Sequence, residues 1–301
     1  MTIAYASDSN YAALTAISAV SLLKNNPGAE IILLGCNLDE ESVVTVKTRV
    51  EKFGGSFRLV DVSEKINKLR SMGVNSYVSY AVYARIFIAD LLPDLRENIL
   101  YLDCDTLVVD SVKEIFETDL KGKPLALAPD AIHPAYKRVI SLPPEKPYFN
   151  TGVALINLGK WRELECAERI MRELESPHGR NPLGDQDVIV RVLNSEIAEL
   201  DRRWNFLSQH VLYGRKEKPA IWHFSGNTLG RPWFTSSRHP MRKKYREIAA
   251  EAGLEKAAEQ TKPMPTEYKI QYFLYKALPG FLFRPICNLM LRTHIKLTYG
   301  I

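Results

Sequence analysis

The stretch that decides the fold is ENILYLDCDTLVVDS, from Glu97 to Ser111. Its apolar and β-branched flanks predict a buried strand, yet Asp103 and Asp105 lie in the middle of it. Side chains two positions apart on a strand point to the same face, so the two carboxylates should project together. Because two like charges side by side cost free energy unless they share a cation or a proton, the pair predicts a bound ligand.

The segments around this stretch alternate between strands and helices, which predicts an α/β fold with a mostly parallel sheet and helices on both faces. In such sheets ligands collect beyond the carboxyl ends of the strands. Asp8 and Asn10 follow the first strand in this way. Besides the opening stretch, strands are predicted at 2–6, 30–35, 57–62, 125–128, 151–156, 205–207 and 220–224, and helices at 11–23, 39–53, 79–91, 161–174 and 186–193.

The length of 301 residues suits one large domain with a small appendage. We place the domain at 1–260 and the appendage, called the tail below, at 261–301. The tail holds six Lys and Arg against one acid, so it carries the whole net charge of +5. Its basic and aromatic residues are typical of a peripheral membrane surface, although its apolar residues could instead pack on the body or on a partner chain. Nucleic acid is disfavoured, because no nucleic-acid-binding motif accompanies the charge.

Four cysteines are present without a CxxC pair, which supports neither a zinc framework nor a disulfide scaffold. The N-terminus has no signal-peptide pattern, and no window reaches the roughly 18 apolar residues of a membrane span. We therefore expect a cytoplasmic protein, with the tail allowing contact with the inner face of the cell membrane.

The pair Asp103 and Asp105 offers the oxygen ligands that Mn²⁺ or Mg²⁺ takes. The plainer interpretation is a strand end that meets solvent, with Asp105 in a turn. His223 ends another predicted strand and could complete the metal site, although a histidine there often only packs. Gly226 would let the following loop approach phosphates, and Arg231 could pair with one of them.

Two further polar clusters lie at the start of a predicted strand and of a predicted helix. Asn150 to Gly152 lies at the mouth of a strand, where amide and hydroxyl groups suit sugar hydroxyls, although an ordinary loop would look the same. Asp185 begins a helix, and it is either a ligand-binding acid or simply the N-cap. Asp187 is compatible with a favourable acid in the first helical turn.

Together these stretches resemble the family 8 retaining glycosyltransferases, and most of all the bacterial lipopolysaccharide α-galactosyl- and α-glucosyltransferases. The matching pieces run in the family's order from residue 4 to residue 226. They are AYASDSNY (4–11), YAR (83–85), YLDCD (101–105), FNTG (149–152), GDQD (184–187) and HFSG (223–226).

The resemblance implies a GT-A fold that uses Mn²⁺ and a sugar carried on uridine diphosphate (UDP). By position, each functional residue of the family has a counterpart in this chain. The metal ligands would be Asp103, Asp105 and His223; the uracil and ribose contacts Ala6, Asp8, Asn10 and Tyr11; the donor-sugar contacts Arg85, Asn150, Asp185 and Gln186; and Gly226, Cys104 and Arg231 would belong to the rest of the cofactor-binding set.

Two features bear on the mechanism. The loop from His223 to the Arg-Pro-Trp at 231–233 is longer than in the family and has Arg231 in place of lysine. Gln186 stands where a double displacement would need a nucleophile, and an amide is a poor one. The resemblance therefore favours same-face substitution, in which the leaving UDP oxygen takes the proton of the acceptor hydroxyl.

The predicted function is transfer of galactose or glucose from UDP-galactose or UDP-glucose to a glycan acceptor, such as a lipid-linked lipooligosaccharide. A non-catalytic nucleotide-sugar-binding protein on the same fold is the first alternative. A sugar nucleotidyltransferase is the second, and it is disfavoured because no Gly-rich basic loop follows the first strand to take a triphosphate.

Overall fold

In the computed structural model, which describes residues 1–72, 79–176, 180–215, 217–226 and 229–300, the chain forms ten strands. They are β1 (Thr2–Ser7), β2 (Glu30–Gly35), β3 (Ser56–Asp61), β4 (Asn98–Leu102), β5 (Thr106–Val108), β6 (Leu125–Pro129), β7 (Phe149–Asn157), β8 (Ile197–Glu199), β9 (Phe206–Leu207) and β10 (Ile221–His223).

A seven-stranded sheet has the order β3-β2-β1-β4-β7-β6-β8, and a small three-stranded sheet has the order β5-β10-β9. In the large sheet β1 pairs in parallel with β2 and β4, whereas β7 is antiparallel to both of its neighbours. The expectation of a mostly parallel sheet is thus confirmed. The carboxyl ends of β1, β4 and β6 meet at one edge, where ligands bind in such sheets.

Helices cover both faces of the large sheet. Along β1, Ala4 and Ala6 join one apolar core while Ile3 and Tyr5 join a second core on the opposite face. The helices are α1 (Ala12–Asn25), α2 (Glu40–Lys52), α3 (Ser63–Ser71), α4 (Ile88–Leu91), α5 (Tyr136–Val139), α6 (Leu158–Glu163), α7 (Cys166–Glu175), α8 (Asp185–Leu193), α9 (Ser208–Leu212), α10 (Arg242–Glu251), α11 (Thr266–Ala277) and α12 (Gly280–Tyr299), with 3-10 turns at Tyr80–Phe87, Lys113–Glu117, Asn194–Glu196, Arg202–Trp204 and Glu255–Ala258.

The opening stretch is not one strand, and this part of the prediction is wrong. β4 ends at Leu102 and β5 begins at Thr106 in the other sheet, with a turn between them. Two contacts hold the turn: Thr106 Oγ1 donates to the Asp103 carbonyl over 2.9 Å, and the Phe224 amide donates to the Asp105 carbonyl over 2.9 Å. The chain therefore leaves the large sheet at the two acids, both of which lie in the turn.

Three predicted helices also differ in detail. The segment 161–174 is split between α6 and α7, because Glu165 adopts the left-handed backbone conformation at φ 49°. The segment 79–91 begins as a 3-10 turn and becomes α-helical only at Ile88. Asp185 is not an N-cap, since Gly184 occupies that position and Asp185 is the first residue of α8.

The tail forms α11 and α12, and one stripe of α12 packs on the body. Phe283, Cys287 and Ile295, spaced by multiples of four, are buried, whereas Leu289 and Leu297, each two residues beyond a buried position, are exposed. Arg284 Nη2 fixes the contact by donating to the Tyr213 carbonyl over 2.6 Å. Among the described residues, no helix combines the length and apolar character needed to cross a lipid bilayer.

Candidate active site

Two carboxylates and an imidazole converge at the turn between β4 and β5. Asp103 and Asp105 come from the turn itself and His223 from the end of β10, and their ligand atoms all lie within 4.8 Å of one another. His223 Nε2 lies 3.1 Å from Asp105 Oδ1 and 3.8 Å from Asp103 Oδ2. The three residues predicted as metal ligands are therefore brought together, with their free atoms facing a common point.

Each aspartate forms an ion pair with an arginine. Arg85 Nη2 lies 2.9 Å from Asp103 Oδ1, and Arg231 Nη1 lies 3.1 Å from Asp105 Oδ2. The outer oxygen of each carboxylate is thus engaged, which leaves one oxygen of each for a ligand. This is the geometry expected of monodentate metal ligands whose orientation is fixed by their neighbours.

The charges of the cluster favour a cation. Burial alone would raise the pKa of Asp105, but His223 and Arg231 outweigh it and hold that pKa well below its usual range. Burial would lower the pKa of His223, and Asp105 and Asp103 raise it instead. Two carboxylates that face one imidazole favour positive charge at their common point, and a divalent cation would supply that charge in place of a proton.

His223 is oriented by Asn205, a fully buried residue for which the sequence suggested no role. His223 Nδ1 lies 2.9 Å from Asn205 Oδ1, and Asn205 Nδ2 donates to Asn150 Oδ1 over 2.9 Å. Because the amide oxygen can only accept, Nδ1 carries the hydrogen and the Nε2 lone pair faces the two aspartates. The tautomer required of a metal ligand is set in this way.

A cavity beside this cluster collects most of the predicted nucleotide contacts. Asp8 and Tyr11 follow β1 and line it, and Arg231 closes its other side. Asn10 does not line it, because its side chain is exposed. The backbone N–H of Asn10 donates to Asp8 Oδ1 over 2.9 Å. The remaining lining residues are Ala6, Ser7, Ser79, Ala81, Val82, Asp103, Cys104 and Asp105.

The four residues predicted to contact the donor sugar are linked to one another behind the cluster. Arg85 Nε lies 2.8 Å from Asp185 Oδ2, and both side chains are at most 5% exposed. Burial raises the pKa of Asp185 to about 6, although Arg85 opposes the shift. Asn150 and Gln186 are joined through Asp130, whose Oδ2 accepts from Asn150 Nδ2 over 2.9 Å and from Gln186 Nε2 over 3.1 Å.

Asp130 was missed by the sequence analysis, although a signal for it existed. It directly follows β6, as Asp8 follows β1 and Asp103 follows β4, at the edge where ligands collect. Burial raises the pKa of its carboxyl. Asp130 also lines a second cavity, between the body and the tail, and the sequence analysis had no means to expect that cavity.

The second cavity extends from Asp130 to α12. Gly226, predicted to contact the diphosphate, lines this cavity and not the first. The body contributes Asp130, Ala131, Ile132, His133, Tyr136, Gln209, Leu212, Tyr213 and Gly226, and the tail contributes Tyr268, Gln271, Phe283, Cys287, Leu291, His294, Ile295 and Tyr299. Of the longer loop after His223, Asn227 and Thr228 lie outside the described residues.

Comparison with known proteins places these features in one family. The profile of "Glycosyl transferase family 8" matches residues 2–236. "General stress protein A" of Bacillus subtilis is 26% identical over 265 residues, which span 81% of this chain and 91% of that protein. A "Putative glycosyltransferase" of Haemophilus influenzae is 26% identical over 211 residues, spanning 68% of this chain and 63% of the relative.

A solved structure shows the same fold. The galactosyltransferase LgtC, crystallised with donor and acceptor sugar analogues, superposes with a TM-score of 0.74 over 89% of this chain and 99% of its own. Its sequence is 24% identical. The fold is therefore GT-A-like, as the sequence resemblance implied.

Proposed function

The chain belongs to glycosyl transferase family 8, and on that premise we propose that it transfers galactose or glucose from a UDP-sugar to a glycan acceptor with retention of configuration. The observation that carries the proposal is the convergence of Asp103, Asp105 and His223 beside a cavity lined by Asp8 and Tyr11. A nucleoside fits beside polar and aromatic groups of this kind, and its diphosphate would then reach the cluster.

The three converging side chains fit a divalent cation, and Mn²⁺ suits two carboxylates with one imidazole. When bound, the cation would act as a Lewis acid that offsets the charge developing on the departing diphosphate. Asp103, Asp105 and His223 would hold it. Mg²⁺ is compatible with the two aspartates but takes imidazole less readily.

The chain's own residues supply the remaining electrostatics. Arg231, 20% exposed in its side chain and beside the first cavity, would pair with a phosphate oxygen and stabilise the leaving group. Arg85 lies between Asp103 and Asp185, and its single charge offsets part of the charge of both carboxylates.

Same-face substitution agrees with this arrangement. Gln186 is an amide, and Asp185 is engaged by Arg85, so neither is a ready nucleophile. The bond between the anomeric carbon and the diphosphate oxygen would break while the acceptor oxygen bonds to that carbon from the same face. The acceptor proton would pass to the departing diphosphate oxygen. A glycosyl adduct trapped on Gln186 or Asp185 would contradict this course.

The function is tested by UDP release from a panel of UDP-sugars, with Mn²⁺ and with EDTA. We expect release from UDP-galactose or UDP-glucose that requires the metal and increases with a glycan acceptor. Tight UDP binding without turnover on any acceptor would favour the nucleotide-sugar-binding alternative. Absence of metal-dependent binding to every UDP-sugar would overturn the proposal.

We propose that the second cavity admits the acceptor. Asp130, which accepts a hydrogen bond from Gln186 of the donor-sugar set, lines it on one side, and the tail forms its far wall. Two tyrosine rings and a histidine on that wall suit sugar rings, which present both apolar faces and hydroxyls. The tail at 261–301 would therefore contribute to acceptor binding as well as to attachment.

The outer face of the tail suits the surface of an anionic membrane. Phe281, Leu289 and Leu297 are 75%, 65% and 82% exposed, and basic residues such as Arg292 flank them. Exposed apolar side chains next to basic ones are typical of helices that lie at a lipid interface. Such attachment would bring the site to a lipid-linked acceptor.

Vesicle co-sedimentation tests this attachment. We expect the protein to bind vesicles that contain anionic lipid, and Phe281→Glu with Leu289→Glu to lower binding at least about tenfold, because the charges oppose burial in the interface. Val44→Glu is the matched control, since Val44 is 47% exposed on α2. Equal binding by all variants would contradict a role for the tail.

A further inference from the structure

Asp187 is a fully buried acid that the proposed reaction leaves without a role. Its Oδ1 accepts a hydrogen bond from the Tyr148 hydroxyl over 2.6 Å. Its Oδ2 accepts from the Tyr136 hydroxyl over 3.0 Å and from the Leu183 amide over 2.7 Å. An ionised carboxylate can only accept, so both tyrosine protons are directed at Asp187.

This arrangement determines what Tyr148 can offer to its other neighbour. With its single proton given to Asp187, the Tyr148 oxygen can only accept, and Gln186 Nε2 lies 2.9 Å away. Gln186 must therefore turn its NH₂ group, and not its oxygen, towards Tyr148. The second hydrogen of that group is taken by Asp130 over 3.1 Å.

The orientation of the Gln186 amide follows. Its Oε1 accepts from the Thr151 amide over 3.2 Å, on the side where Gly152 meets Asp103 and His223. The amide oxygen is thereby turned towards the metal cluster and the NH₂ group away from it. A reversed amide would lose its bonds to both Tyr148 and Thr151.

We infer that Tyr148, oriented by Asp187, is a positioning residue that holds the Gln186 amide oxygen towards the donor sugar. The inference rests on the proposed function, which places Gln186 against that sugar. As the bond to the diphosphate breaks, positive charge develops at the anomeric carbon. A carbonyl dipole with its oxygen towards that carbon stabilises the charge, whereas an NH₂ group would oppose it.

The ionisation of Asp187 is consistent with this relay. Burial raises the pKa of its carboxyl to about 6, and the hydrogen bonds from Tyr148, Leu183 and Tyr136 and the charge of Arg191 oppose the rise. Asp185, two residues earlier on α8, and Asp130, which accepts from Gln186, are the other acids of this network. At pH 8, where the test is set, the carboxylate is ionised and accepts both tyrosine protons.

The chain provides a matched pair of variants for the test. Tyr148→Phe removes the hydroxyl that joins Asp187 to Gln186. Tyr5→Phe is the control: it removes another buried tyrosine hydroxyl, 3.2 Å from Ser18 Oγ, and Tyr5 lines neither cavity. Each variant removes one buried hydrogen bond, so the two should lower the melting temperature to a similar extent.

We expect Tyr148→Phe to lower kcat for the UDP-sugar about 10- to 100-fold, the usual effect of a small misplacement in an active site. Its affinity for UDP, which has no sugar, should equal that of the wild type. Tyr5→Phe should keep kcat within about threefold of the wild type, since the Gln186 contacts remain. Wild-type kcat in Tyr148→Phe, or an equal loss in both variants, would overturn the inference.

A second readout does not depend on turnover. The side-chain amide protons of Gln186 can be assigned by NMR through the signal that Gln186→Glu removes. We expect them to exchange slowly with solvent in the wild type and in Tyr5→Phe, and faster in Tyr148→Phe. If the wild type turned over no UDP-sugar, the proposed function would fail, yet unchanged exchange in Tyr148→Phe would still be what refutes the relay.

Discussion

Asp103→Asn and Asp105→Asn should each lower kcat by at least about 1,000-fold, because a metal ion supplies several kcal/mol of charge stabilisation in the transition state. Each asparagine keeps the size of the side chain and an oxygen that can still accept from the neighbouring arginine. What it removes is the negative charge at the converging oxygens, 3.1 Å and 3.8 Å from His223 Nε2. The fold should therefore survive while the cation is lost.

Manganese binding gives the direct measurement. Titration followed by electron paramagnetic resonance should show one tight Mn²⁺ site in the wild type with UDP, weakened at least about tenfold in either variant. Asp110→Asn is the matched control, since Asp110 lies just beyond β5 and faces Arg203 at 3.7 Å instead of the cluster. Wild-type Mn²⁺ affinity in both active-site variants would mean that the two acids are only the end of a strand.

Asp103 and Asp105 pair with different arginines, and this difference makes the prediction more specific. Removing the Asp103 charge leaves the buried Arg85 guanidinium with Asp185 as its remaining acid at 2.8 Å. Asp103→Asn should therefore cost more stability than Asp105→Asn, whose partner Arg231 can turn to solvent. Thermal melts of the two variants, compared at one pH, measure this difference.

The convergence of the three candidate metal ligands could be predicted from the sequence, but by a partly wrong route. Alternation along one strand was expected to align Asp103 and Asp105, whereas they lie in a turn between two sheets. The apolar run continues on both sides with no glycine or proline, so periodicity had no means of detecting the turn. His223 was singled out because it ends a predicted strand, and the structure shows that the pairing of β5 with β10 brings it to the acids.

The residues that orient the ligands were harder to predict. Asn205 precedes a strand of two residues, and only its burial and its 2.9 Å contact with His223 reveal its role. Tyr148 directly precedes β7, and the sequence indicated no role for it, because nothing in a sequence shows which partner a tyrosine hydroxyl will bind. Asp130 is different, because the rule that located Asp8 and Asp103 applies to it equally.

Gly152 belongs to the FNTG motif, and the packing around it leaves no space for a larger side chain. A Cβ built at this position would lie 2.2 Å from His223 Cε1 and 2.6 Å from Asp103 Oδ2. Neither neighbour can yield, because Asn205 holds the imidazole and Arg85 holds the carboxylate. The glycine after Asn150 and Thr151 is therefore explained by the volume of the metal cluster and not by backbone freedom.

Gly152→Ala should accordingly lower kcat by at least about 100-fold. The added methyl group would lie 2.2 Å from His223 Cε1 and 2.6 Å from Asp103 Oδ2, so it must displace one of these side chains from the cluster. Overpacking in the centre of β7 should also cost about 1–3 kcal/mol of stability. UDP-sugar turnover, Mn²⁺ affinity and a urea melt measure the three consequences on one sample.

Gly159→Ala separates this steric effect from the general cost of replacing a glycine. Its Cβ would meet nothing nearer than Asn157 Oδ1 at 3.4 Å, and it lies in α6, away from the cluster. We expect wild-type turnover and a stability change below about 1 kcal/mol. If Gly152→Ala bound Mn²⁺ and turned over UDP-sugar as well as Gly159→Ala does, the cluster would have to be looser than its contacts indicate. The assignment of Asp103 and His223 as joint ligands would then fail, because two ligands that can both move aside for a methyl group are not held for a metal.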